Sequence, residues 1–234
     1  MATIIEAAKT ISSGWEPVVK DALPELTHIS KLLDTQKKLG TYFPYPDTMF
    51  NSFKLCPYQD IKVVIVGYQP QYGTIQTEAG FVCRDSGLAY SIRSEDAMSK
   101  SLQNIYIELK NSVKDFVVPS HGNLEAWAKQ GILMINNSLT VAQQKNVDVS
   151  ELWYGFLNKV FKWIKKVNPN VIYVLWGRKV SQISKLIPDG AIILESLSSP
   201  DAYRYEQEFL TCNHFNIINE HLKKQNKELI DWSL

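Results

Sequence analysis

Cysteine is scarce in this 234-residue chain: Cys56, Cys83 and Cys212 are odd in number and contain no Cys-x-x-Cys pair. That argues against a disulfide framework or a thiolate zinc site and favours a reducing, intracellular compartment. Net charge is nearly absent too, since 25 Lys and Arg against 24 Asp and Glu leave +1. No global field advertises a nucleic-acid partner, so any such binding needs a local patch. No apolar run approaches the roughly 18 residues of a membrane span, and Met1-Ala2-Thr3-Ile4-Ile5-Glu6 lacks the basic start and long apolar core of a secretory signal. A soluble protein without a membrane partner is expected. Repeats, low-complexity segments and linkers are also missing, and 45% apolar composition is ample for one core.

What is present is organised around Ile61-Lys62-Val63-Val64-Ile65-Val66-Gly67, an apolar run that ends on the loop Tyr68-Gln69-Pro70-Gln71-Tyr72-Gly73. Four consecutive apolar residues suit a strand covered on both faces, and the Gly/Pro-rich loop falls where open α/β sheets place their ligands. Three further strands are expected at Ile132 to Asn136, Val171 to Trp176 and Ala191 to Leu194. Helical spacing of apolar residues is visible from Val18 to about Lys38, from Met49 to Leu55, from Leu124 to Gln130 and from Glu151 to Lys166. Ser101 is the expected N-cap of a helix that includes Ile105 and Leu109. Strands alternating with helices predict an α/β fold with a mostly parallel four-stranded sheet.

Several segments then carry a family resemblance. Gly122-Asn123-Leu124-Glu125-Ala126-Trp127-Ala128-Lys129-Gln130-Gly131-Ile132-Leu133-Met134-Ile135-Asn136, Ser101-Leu102-Gln103-Asn104-Ile105-Tyr106, Leu175-Trp176-Gly177, Cys212-Asn213-His214-Phe215 and Ile230-Asp231-Trp232 resemble family 1 uracil-DNA glycosylases in order and spacing. The likeness runs from about Trp15 to Trp232, so residues 1–14 are read as an N-terminal extension and 15–234 as the domain. It implies a central four-stranded parallel sheet flanked by helices, a base pocket at the strands' carboxyl ends, no cofactor, and a monomer. The chemistry it implies is hydrolysis of the glycosidic bond of a uracil flipped out of DNA.

Measured against the family's site, this chain departs at several points. The water-activating loop, G-Q-D-P-Y-H-G in the family, places Gln69 at the aspartate. An amide can hold a water but cannot supply the charge that steadies an oxocarbenium-like cation. Gln71 replaces the tyrosine that guards against the methyl of thymine, and Tyr68 lies beside them in the pocket. With one residue inserted between Thr74 and Gly80, the phenylalanine that stacks on uracil falls at Cys83. In the H-P-S-P-L loop, Leu197 stands for the histidine and Asp201 for the wedge leucine. Asn136 keeps the register of the asparagine that reads the uracil edge, while Ser101, Gly177, Arg178, Ser199 and Arg204 are candidates for holding the DNA backbone. His121 and His214 read as structural.

Because catalytic parts fail together while strands, glycines and caps survive, the sequence predicts a glycosylase-fold protein that has lost uracil excision and binds DNA or a protein partner in repair or replication. The alternatives are an active DNA glycosylase of altered base specificity that uses Gln69 to position water, and a protein-binding accessory module or decoy for a glycosylase inhibitor.

Overall fold

The computed structural model describes residues 3–11, 14–36, 41–78, 80–93, 96–143, 149–202 and 208–234. The chain opens with α1 (Ile4–Lys9), α2 (Glu16–Asp21) and α3 (Leu23–Gln36), then a short strand β1 (Tyr42–Phe43) and helices α4 (Pro46–Met49) and α5 (Asn51–Leu55). The central strand β2 (Val63–Gly67) follows, then a hairpin of β3 (Thr74–Thr77) and β4 (Gly80–Cys83), and helices α6 (Lys100–Ser112) and α7 (Glu125–Lys129). After β5 (Ile132–Asn136) and β6 (Val141–Ala142) come α8 (Tyr154–Val167), β7 (Ile172–Trp176), α9 (Arg178–Ser181), β8 (Ile192–Ser196) and α10 (His214–Lys224).

The main sheet has the order β5-β2-β7-β8 and is parallel throughout. β1 pairs antiparallel with β6, and β3 with β4, in two small separate sheets. Because successive strand residues point to opposite faces, each apolar run serves two layers. Val64, Val66, Leu133, Ile135, Tyr173 and Leu175 pack with the N-terminal helices and the α8 residues Phe156, Val160 and Phe161. Val63, Ile65, Ile132, Met134, Val174 and Trp176 pack with Ile105, Leu109, Trp127, Phe215 and Trp232 on the other face. That two-sided burial explains why β2, β5 and β7, all buried along their length, carry almost no polar residue before their last position.

The segment before Trp15 contributes Ile4, Ala7, Ala8 and Ile11 to the first layer, continuous with Trp15 itself. Capping serves this segment: Thr3 and Glu6 close a reciprocal capping box on α1. The stretch expected as a helix from Glu151 starts as a 3-10 turn, Ser150–Trp153, before α8 begins. Among the described residues, no helix is long and apolar enough to cross a membrane.

The connections after β2 and β7 lead to opposite faces of the sheet, toward α6 and α9 respectively. A crevice must open between two such neighbours at their carboxyl ends. There the candidate site lies.

Candidate functional site

At the tip of β2, Gly67 leaves room for a side chain on the next strand. A Cβ there would lie 2.3 Å from Asn136 Oδ1 and 2.9 Å from Ala89 Cβ. Gly67 and Asn136 are register partners at the last rung of the β2–β5 ladder. Beyond it, Asn137 N–H donates to the Gly67 carbonyl at 2.7 Å and Ser138 N–H to the Tyr68 carbonyl at 3.3 Å. The backbone that carries Asn136 is thereby fixed at a strand tip, and the residue, 8% exposed, lines the space beside the site loop.

A cleft of about 640 Å³ opens over these tips, a size within the range that holds small organic ligands. Tyr68, Gln69, Gln71, Asn136, Ser101, Ser199 and Asp201 all line it, so seven of the residues singled out in the sequence meet in one place. An adjoining hollow of about 280 Å³ is lined by Gly177, Arg178 and Leu197, and shares Tyr68, Trp176, Ser199 and Asp201 with the cleft. Gly177 has φ 101°, and a Cβ on it would come within 2.8 Å of Ser199 Cβ, which is how the two backbone loops approach each other. Arg204 lies outside the described residues.

Two expectations are corrected. Cys83 is not a wall of the cleft: it ends β4, is buried, and its sulfur accepts a hydrogen bond from Tyr45 N–H at 3.2 Å. The chain leaves the cleft at Tyr72, runs out through the β3–β4 hairpin and re-enters at Arg84, and the aromatic residue that this returning segment adds to Tyr68, Tyr72 and Trp176 in the cleft lining is Tyr90. Its ring sits 5.4 Å from that of Trp176, an arrangement that leaves an aromatic wall for a planar ligand. Ser101, in turn, is not the helix cap. Ser99 holds the extended cap geometry of α6 and its hydroxyl accepts from Leu102 N–H at 3.2 Å, while Ser101 sits in the first turn.

Electrostatically the cleft is mixed. Leu197 is 50% exposed and offers only its backbone N–H, which donates to Glu208 Oε1 at 3.4 Å. Asp201 is exposed at the rim and accepts a hydrogen bond from the Ser199 hydroxyl. Lys179 Nζ stands 4.6 Å over the Tyr68 ring, a cation–π contact that keeps a positive group at the adjoining hollow. Inside, Asp85 is 3% exposed, with Oδ2 accepting from Gln71 N–H and Oδ1 from Gly87 N–H, each at 2.8 Å. Burial pushes its carboxyl up to about 6, against the two amide bonds and the Arg93 guanidinium. Burial likewise raises the Tyr90 phenol, with the Asp201 charge adding to it.

Asp85 and Tyr90 are the site residues that sequence reasoning missed. The Arg84-Asp85-Ser86-Gly87 turn carries the cue for the first, since an Asp two residues before a Gly commonly caps its own turn.

A parallel sheet with a polar, ligand-sized cleft at its carboxyl ends defines an α/β protein of the ligand-binding, enzyme-like class. Residues 53–223 match the family model of the Uracil DNA glycosylase superfamily, and the chain belongs to that superfamily. It is 35% identical over 225 residues to the uracil-DNA glycosylase of Vibrio vulnificus (strain YJ016), covering 94% of this chain and 96% of that protein. To the uracil-DNA glycosylase of Homo sapiens it is 33% identical over 198 residues, covering 84% of this chain and 61% of the human protein. The crystal structure of mimivirus uracil-DNA glycosylase superposes with a TM-score of 0.80 at 26% identity, over 95% of this chain and 88% of that one.

Proposed function

We propose that this protein holds a base extruded from DNA in the cleft beneath Tyr68 and Asn136, and that its capacity to excise uracil is strongly reduced. The observation that carries this reading is the pairing of neutral groups at two positions that frame the site, Gln69 in the cleft and Leu197 in the adjoining hollow. Cleaving a glycosidic bond leaves positive charge on the sugar and negative charge on the departing base. An amide and an aliphatic side chain meet neither charge, whereas a carboxylate and a hydrogen-bond donor would. Recognition is better provided for, by the Tyr90 ring and the Asn136 amide.

A second reading, an active glycosylase of altered base specificity, is favoured by Asp85, a buried carboxyl that lines the same cleft. The decoy reading draws less support. The mimivirus enzyme variant Y322L is found in complex with UGI, but Asp201 here puts a carboxylate where the resemblance places the apolar wedge that such inhibitors grip.

Single-turnover excision on oligonucleotides carrying uracil, thymine or modified pyrimidines, with binding followed on native gels, decides between these readings. Salt-sensitive binding with uracil left intact is expected. Abasic product at a rate typical of a working glycosylase would overturn the loss of activity, and absence of both binding and cleavage would overturn the DNA reading.

A further inference from the structure

Asp85 is unusual for its place. A carboxylate is an acceptor-only group, and burying one is costly unless its lone pairs are met. Gln71 N–H and Gly87 N–H each satisfy one lone pair on a different oxygen, which leaves each oxygen with further acceptor capacity at the edge of a cleft. Behind it lies a cavity of about 10 Å³, lined by Asp85, Asn136 and Ser52 among apolar groups, space for about one water. Ser52 is 2% exposed and its hydroxyl has no hydrogen-bond partner among the described residues. The wall between Gln71 and Asn136 therefore carries a buried acceptor, with Ser52 and Asn136 as its polar neighbours in a largely apolar surround.

We propose that Asp85 is the specificity-determining group of the base site, favouring an extruded pyrimidine that presents a hydrogen-bond donor at its 4,5 edge, such as the amino group of cytosine or 5-hydroxymethylcytosine. The inference rests on the reading of the cleft as a base site. Asp85 is bonded to the backbone of Gln71, which the family resemblance sets against the 5 position of the ring. A 4-carbonyl turned toward that carboxylate sets lone pair against lone pair, as in uracil and thymine. A 4-amino group or a 5-hydroxymethyl group donates to it, as cytosine's amino group donates to Asp and Glu elsewhere. Gln71, in place of a bulky aromatic, leaves the same edge open to a substituent.

The test is fluorescence anisotropy with the full chain and mismatched duplexes carrying uracil, thymine, cytosine or 5-hydroxymethylcytosine, with 2-aminopurine beside the base to report extrusion. Wild type should bind the two amino-bearing bases about tenfold or more tighter than uracil, and Asp85→Asn should bring all four within a few-fold. A role limited to stapling the hairpin to the loop would weaken all four equally and leave their order unchanged, which would overturn the proposal. Should Asp85→Asn fail to fold, Gln71→Tyr keeps both backbone bonds to Asp85 and narrows the same edge. It should cost 5-hydroxymethylcytosine about tenfold relative to cytosine, and an unchanged ratio counts against the proposal. Binding without base preference would leave the DNA reading standing and sink this one; binding to none of the duplexes would sink both.

Discussion

The indole N–H of Trp176 donates to Nδ1 of His214 across 3.0 Å, tying the cleft wall to the first residue of α10. His214 is 6% exposed, and burial holds its imidazole down from 6.5 to about 4. The bond needs an unprotonated Nδ1, so protonation breaks it as well as burying a charge.

A histidine with a depressed folded-state value stabilises the fold fully above its unfolded value and loses that contribution as pH falls toward the folded one. The window here runs from 6.5 down to about 4. Asp85, raised to about 6, and Glu108, raised to about 7, run the other way, because their ionisation opposes folding as pH rises. Comparing wild type with His214→Gln isolates the histidine, since the amide accepts the indole N–H and does not titrate. Wild type should lose about 3 kcal/mol relative to the variant across that window in urea unfolding. Parallel stability curves would show that His214 does not carry this dependence.

Restoring charge to the cleft should restore chemistry. Gln69→Asp supplies a carboxylate at the site loop, and Leu197→His supplies a donor on a side chain already half exposed. Each such group is typically worth about 10²–10³ in rate, and the two act as a unit. The double variant should therefore excise uracil at least about 10² faster than either single variant, measured by single-turnover cleavage. Equal rates for singles and double would mean that the cleft does not present the sugar to both positions.

Gly67→Ala tests how Asn136 is held. The added methyl would overlap Asn136 Oδ1 and Ala89 Cβ, both in tightly packed surroundings. Overpacking of this kind typically costs about 1–3 kcal/mol. Thermal unfolding should report that cost, and discrimination between bases should fall by more than affinity for an abasic duplex, because the reading amide is displaced.

Much of this architecture is legible in the residues. The runs around Val63, Leu133 and Val174 are apolar on both faces and end on Gly67, Asn136 or Gly177, which announces strands covered on both faces that stop at a site loop. Of the two edge strands β8 is less so: its residues alternate between half-buried and exposed up to Ser196, so only one face is covered and Glu195 can stand on the other. The hairpin is hardest to read. Thr74 to Cys83 has weak alternation, and Phe81 lies largely exposed on it, so no buried face marks the strands. Missing it shifts the register of everything between Tyr72 and Arg84, so the expected stacking position falls on Cys83, which is buried away from the cleft that Tyr90 lines.

Asp201→Leu should strengthen duplex binding. The carboxylate is exposed at the rim of the cleft and accepts the Ser199 hydroxyl, and on the proposed DNA-binding reading it stands beside the backbone. Removing one negative charge lessens repulsion of the backbone, and an apolar side chain there can enter the base stack. Affinity for a mismatched duplex should rise several-fold at low salt while single-stranded binding changes less. Equal gains on both substrates would assign the effect to charge alone.

Ser99 and Ser101 sit two residues apart with different work, and alanine separates them. Ser99 caps α6 through Leu102 N–H, so Ser99→Ala should cost about 1 kcal/mol of stability, the usual value of an N-cap hydroxyl. Ser101 lies inside the first turn and lines the cleft without capping anything, so Ser101→Ala should leave urea unfolding within about 0.5 kcal/mol of wild type. If Ser101 holds a phosphate through its hydroxyl, that variant should weaken binding to all DNA sequences alike. Measuring both variants for stability and for DNA affinity gives a crossed result: Ser99→Ala mainly unfolds, and Ser101→Ala mainly releases DNA. Should Ser101→Ala bind DNA as wild type does, the backbone contact passes to the Gly177 and Ser199 loops across the cleft.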